Sequence, residues 1–161
     1  MDFYYARESW IWGLSLIVVT VAIHATGVVM MALVGLKIKA RVETRRHVIP
    51  IIIGVIAGAG LLLAVLHGIE AAIWAAAYLW LGALGSPLDA IFYSLDAMVT
   101  SGASGLVLQR HWGIMGALQG ADGVLLFGIS TAYMFAVMQA YWPMLSSQSG
   151  ATSRQEFPRT R

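Results

Sequence analysis

His24, His67 and Glu70 are ionisable side chains set in the middle of long apolar runs. Such groups are costly in hydrocarbon and mark functional positions by default. His67 and Glu70 are three residues apart, so on a helix they share one face. A second helix bringing His24 against that face completes an N,N,O donor set of the kind zinc or another transition metal accepts. The same trio suits a proton-sensitive cluster, since histidine titrates near neutrality. It also suits a mutually hydrogen-bonded patch that fixes helix registry.

Two further acids, Asp96 and Asp122, also fall in apolar surroundings. Asp96 precedes the polar, glycine-broken stretch "TSGASG" at residues 100–105. It is expected to hold that turn from behind by hydrogen bonds, the alternative being a carboxylate that attracts cations. Asp122, directly before Gly123, faces either a cavity, where several copies would make a cation-concentrating ring, or a neighbouring helix as a hydrogen-bonding partner. Gly123 and Gly128 allow a bend in the helix that carries them, a place for a gate if that helix lines a pore. Ser130 and Thr131 either line an inner cavity or back-bond to their own helix carbonyls.

The elements that must position these groups are membrane helices. Of 161 residues, 59% are apolar and only 11% charged, which excludes an ordinary soluble domain. With no cysteine, disulfides, thiolate metal sites and thiol catalysis are excluded together. No long basic run suggests a nucleic-acid partner. The opening "MDFYYARESW" lacks a basic leader, so the first apolar run is expected to stay. A spanning helix needs about 20 mostly apolar residues, and segments 10–36, 51–84 and 112–142 reach that length. The second must tilt, protrude or break, with Gly68 as its weak point. "GVIAG" at residues 54–58 and "GALQG" at residues 116–120 are small-xxx-small patterns that let helices approach closely.

Charge then orients the spans. "KIKARVETRRH" carries Lys37, Lys39, Arg41, Arg45 and Arg46 against Glu43 alone, so the positive-inside rule places it in the cytoplasm. The N-terminus and residues 86–111 fall outside, and the tail with Arg154, Arg159 and Arg161 inside. Phe3, Tyr4, Tyr5, Trp10 and Trp12 mark the outer boundary as an aromatic belt. Residues 1–47 read as an N-terminal helix and basic loop, 48–145 as a second unit, and 146–161 as a polar, disordered cytoplasmic tail. The expected setting is an inner (plasma) membrane crossed several times, with the N-terminus outside and the C-terminus in the cytoplasm.

Between the second and third spans, "SPLDAIFYSLDAMV" at residues 86–99 has Ser86 as an N-cap, Pro87 at the first helical position and Asp89 three residues after the cap. About twelve helical residues cover about 18 Å and cannot cross a bilayer. This segment reads either as a re-entrant half helix, with "TSGASG" returning through protein-lined space, or as a surface helix and loop.

"AIFYSLDAMVTSGASGL" followed by "WGIMGALQGADGVLLFGISTAYMFAV" resembles the pore region of potassium-channel-like proteins, particularly a bacterial two-pore-domain-type ion channel family. Ala90, Tyr93, Ser94 and Leu95 fit that family's pore helix. Trp112, Gly116, Ala117, Leu118, Gly123, Leu125, Leu126, Phe127, Gly128, Ser130, Thr131 and Ala132 fit its inner helix. The resemblance implies an all-α integral membrane protein. Each subunit would have three transmembrane helices plus a re-entrant pore helix and filter loop between the second and third, and four copies would surround one axis. It also implies a pore-loop channel passing inorganic, monovalent cations, with Thr100, Ser101, Gly102, Ala103, Ser104 and Gly105 as the selectivity filter and no cofactor required. The family's T-x-G-Y-G-D keeps only its first threonine and first glycine here. Ala103 cannot brace the filter as an aromatic does, Ser104 must adopt a left-handed conformation where the family has glycine, and Gly105 removes a carboxylate. Two readings follow: a wider, less potassium-selective filter, or the same fold without conduction, binding or transporting metal through His24, His67 and Glu70. No nucleophile with a matched base can be placed, so no enzymatic activity is expected.

Overall fold

The structure, a computed structural model, describes residues 2–42 and 49–155, with side chains at 7–41, 49–109 and 111–144. The basic residues Arg45 and Arg46 with Glu43, the side chains of Phe3, Tyr4, Tyr5 and Arg154, and the tail beyond 155 lie outside the described residues. The described chain is helical: α1 (Asp2–Val42), α2 (Ile49–Trp80), α3 (Pro87–Met98) and α4 (Gly113–Gln155), with one 3₁₀ turn, Arg110–Trp112, leading into α4. Three stretches, Arg7–Arg41, Ile49–Trp80 and Gly113–Met144, are long and apolar enough to cross a membrane. The chain is a membrane protein.

At about 1.5 Å per residue, α2 is about 48 Å long and runs unbroken through Gly68. It therefore meets a bilayer about 30 Å thick by tilting or protruding. Its end falls at Trp80, four residues before the apolar run stops. The cause is Gly82, left-handed at φ 68°. The Gly82 N–H bonds to the Leu79 carbonyl and the Ala83 N–H to that of Tyr78, the paired bonds of a Schellman stop. α4 is also unbroken, past Gly123, Gly128 and Pro143, and reaches Gln155 through residues whose polar composition suggested an irregular tail.

α1 lies mainly along α4, with α2 against both, and α3 is wedged between α2 and α4. Apolar contacts form three layers. Trp74, Tyr78, Leu108, Trp112 and Met115 close one end, where Trp12 meets Trp80 edge-on at 5.1 Å. Ala71, Met98 and Leu126 form the middle, and Ile52 with Tyr141 the far end. Close approach depends on glycine where α3 meets α4. A Cβ on Gly116 would strike the Tyr93 hydroxyl, one on Gly123 would strike the Met98 backbone, and one on Gly120 would touch the Ala97 carbonyl. "GALQG" therefore serves contacts within the chain. Gly54 and Gly58 of "GVIAG" have open space instead, and line an apolar groove of about 550 Å³ with Met31, Ile38 and Leu62.

Candidate functional site

The short helix α3 starts and stops on local chemistry. The Asp89 N–H bonds to the Ser86 hydroxyl at 3.4 Å, and Pro87 occupies the first turn, as the capping pattern predicts. At the far end the Thr100 N–H bonds to the Ala97 carbonyl and the Ser101 N–H to that of Asp96. This is a second Schellman stop, but its left-handed residue is Thr100, at φ 54°. A β-branched residue in that region is strained. Among the described residues of the loop, Gly102 and Gly105 are also left-handed, both at φ 66°, and Ser104 is not. The expected cost at Ser104 thus falls on Thr100.

Asp96 turns back onto this loop. Its Oδ1 accepts the Ala103 N–H at 2.8 Å and its Oδ2 the Ser104 hydroxyl at 2.7 Å. The Ser104 hydroxyl, with the Ala103 and Ser104 backbone N–H groups and the Ser101 hydroxyl adding to it, outweighs the desolvation that opposes it and holds the Asp96 carboxyl below its ordinary range. Thr100, Ser101, Gly102, Ala103 and Gly105 are exposed on the single chain, with Ser104 half-buried. Grooves of about 510 and 680 Å³ flank the loop, one bounded by Gly116, Gly120 and Val124 and the other by Asp89, Phe92 and Val99.

A buried polar chain anchors α3 from the other side. The Ser94 hydroxyl donates to the Ala71 carbonyl of α2 at 2.7 Å. The Gln119 amide of α4 donates to the Ser94 hydroxyl at 2.6 Å and to its carbonyl at 3.1 Å, and accepts the Tyr78 hydroxyl at 2.8 Å. All three side chains are fully buried. Ala71 lies nine residues before the end of α2 and Gly123 ten after the start of α4, each about 14–15 Å along its helix. The end of α3 therefore touches both helices about 14–15 Å in from their ends on that side, about half the thickness of a bilayer of about 30 Å. Leu108, ten residues later, is back in the layer with Trp112.

Asp122 does not face a cavity. It is buried against α1 and α2, where its Oδ2 accepts the Thr20 hydroxyl at 2.7 Å and the Trp74 indole N–H at 2.9 Å. The carboxylate thus faces neighbouring helices of its own chain. Ser130 likewise turns into the bundle, 3.0 Å from His24 Nε2. Thr131 is exposed and back-bonds to the Phe127 carbonyl at 2.8 Å. Gly123 is a packing contact in a continuous helix rather than a bend, and Gly128 is exposed.

His24, His67 and Glu70 do converge, in the middle of the bundle. His24 Nδ1 lies 2.8 Å from Glu70 Oε1. His67 stacks on Phe127 at 4.4 Å and meets His24 edge-on at 5.0 Å, with its Nδ1 2.8 Å from the Leu63 carbonyl. One ligand atom from each of the three residues lies within 4.8 Å of the others. Ser130, His24 and Glu70 also have the connectivity of a hydrolase triad, a matched nucleophile and base that the sequence did not suggest. Ser130 is buried in mid-helix, however, where neighbouring N–H groups are engaged by the helix itself, so no oxyanion site accompanies its hydroxyl.

No family model matches this chain, and neither the curated proteins nor the solved structures contain a match to it. Sequence reasoning missed Thr20, Trp74, Tyr78, Ser94 and Gln119, the partners that hold Asp122 and α3. The usable signal was a hydroxyl or amide inside an apolar run.

Proposed function

We propose that the chain is one subunit of a pore-loop cation channel, in which α3 enters the membrane from the side of the N-terminus and residues 100–105 return to it. The observation that carries this reading is the depth of α3. A helix too short to span ends against two helices long enough to do so, about 14–15 Å in from their ends on that side, and non-helical backbone follows at that depth. Such backbone is tolerated in a bilayer only when buried in protein or lining a water-filled space. One chain leaves most of the loop exposed, so neighbouring copies must enclose it, and four copies around an axis meet that need.

In this assembly the hydroxyls of Thr100, Ser101 and Ser104 and the carbonyls of the loop replace part of a cation's hydration. Asp96 holds the loop's shape from behind. The helix dipole contributes less than in an uncapped half helix, because the Leu95, Asp96 and Ala97 carbonyls already accept N–H groups from Val99, Ser101 and Thr100. The route is accordingly wide and of low potassium selectivity, in a bacterial inner membrane with the N-terminus outside. No covalent chemistry is assigned.

Purified protein reconstituted in planar bilayers is expected to pass potassium and sodium with little preference, and native mass spectrometry to give four copies. Replacing "TSGASG" with "TVGYGD" raises potassium selectivity on an intact scaffold. Absence of flux for potassium, sodium and divalent ions from a folded oligomer removes the channel reading.

A further inference from the structure

We infer that His24, His67 and Glu70 form a buried binding site for a first-row divalent metal ion of the zinc class, which ties α1, α2 and α4 together. The inference begins with two atoms left over. His67 Nε2 and Glu70 Oε2 are both enclosed, and neither has a hydrogen-bond partner among the described residues. Buried polar atoms are almost always satisfied, and two orphans in one cluster call for a shared partner.

The tautomer of His67 fixes what that partner is. A carbonyl can only accept, so the 2.8 Å contact to Leu63 puts the proton on Nδ1 and leaves Nε2 with a bare lone pair. A metal-ligating histidine typically donates its other ring N–H to a carbonyl in this way. Glu70 offers the site two oxygens, Oε1 2.8 Å from His24 Nδ1 and Oε2 without a partner among the described residues. A bare imidazole nitrogen and a carboxylate oxygen repel no cation and suit zinc, which takes nitrogen and oxygen ligands at about 2.0–2.2 Å. Donors around such an ion stand roughly 3.4 Å apart in a tetrahedron, and the set here lies within 4.8 Å. Small side-chain rotations close the difference. His24 supplies the third ligand through Nδ1, the nitrogen that faces Glu70, in the tautomer whose Nε2–H donates to the Ser130 hydroxyl 3.0 Å away, and a water supplies the fourth.

A second buried acid makes the ion's charge useful. Asp122 Oδ1 is also buried without a partner among the described residues. A dication between α1, α2 and α4 offsets both carboxylates at once. The site is closed by protein, which is the mark of a structural ion rather than a catalytic or transported one.

The test uses the full chain in lipid nanodiscs, stripped with chelator and then titrated with zinc chloride. One zinc per chain is expected by elemental analysis, with a higher unfolding temperature on loading. Cobalt(II) is expected to give the strong visible bands of a four-coordinate N/O site. His67→Ala and Glu70→Gln abolish both signals. Glu70→Gln keeps an oxygen for His24, so the fold survives, and helical circular dichroism confirms this. Thr26→Ala, an exposed hydroxyl bonded to its own helix, retains both signals. A folded parent that takes up no zinc overturns the proposal. So does a His67→Ala protein that binds as the parent does. Metal content is read without any current, so this outcome is separate from that of the channel experiment.

Discussion

At the scale of single residues, the consequences are carried by side chains with two partners. Asp122 holds Thr20 and Trp74 on one oxygen. A double-mutant cycle between Thr20→Val and Asp122→Asn is expected to give a coupling of about 0.6–1.7 kcal/mol, the range for hydrogen bonds between membrane helices; unfolding in mixed micelles measures it. Asp96 is a different case, being near the surface of the single chain. Its carboxyl titrates below the ordinary carboxylate range because Ser104 and Ala103 donate to its charged form. The loop's bracing is thus complete above about pH 4 and is lost as the pH falls through the lower folded value. Hydrogen exchange at the Ala103 amide reports this directly: protection persists at pH 5, fades only in stronger acid, and is absent at every pH in Asp96→Ala. Gly123→Ala sets a Cβ against the Met98 backbone. Overpacking of this kind costs roughly 1–3 kcal/mol, and a depressed unfolding midpoint is the readout.

At the scale of elements, α2 and α3 end in the same motif with different residues at its left-handed position, Gly82 and Thr100. Thr100→Gly removes the strain of a β-branched residue there, roughly 1–2 kcal/mol before the extra chain entropy of glycine is subtracted. Greater thermal stability of the variant is expected. An equal or lower midpoint would show that the Thr100 side chain offsets its strain. The contrast also explains what could be read in the sequence. Ser86, Pro87 and Asp89 are adjacent residues acting on one another, so the start of α3 was legible to the residue. Gly82 was hidden inside the continuing apolar run Leu81, Ala83 and Leu84, and a threonine in Gly's position gives no local warning. His24, His67 and Glu70 were legible as a cluster because charge in an apolar run is conspicuous. The direction of Asp122 was not, because Thr20 lies 102 residues away and no periodicity reports such a partner. Gln119 joins α2, α3 and α4, so Gln119→Leu strands the Tyr78 hydroxyl and loosens α3. A loss of roughly 1–3 kcal/mol is expected, with faster exchange along Pro87–Met98.

At the scale of the whole molecule, the absence of cysteine makes the topology directly testable. Ala103→Cys leaves the backbone N–H that Asp96 holds and exposes a thiol on the loop. In intact spheroplasts an impermeant maleimide is expected to label it, and not Ser130→Cys, which is buried. Labelling of Ala103→Cys from the cytoplasmic side alone would invert the proposed orientation. The bundle also implies an order of events during synthesis. α1 lies mainly along α4, and the bonds from Thr20 to Asp122 and from His24 to Ser130 join residues 102 and 106 positions apart. Until α4 leaves the ribosome, Trp74 and Tyr78 lack the Asp122 and Gln119 acceptors they use in the finished bundle and Thr20 has only the Leu16 and Ile17 carbonyls of its own helix, whereas His24 and Glu70, 46 positions apart, can already pair. The chain up to the end of α2 is therefore only half satisfied in its buried hydrogen bonds, and the last helix to arrive completes them.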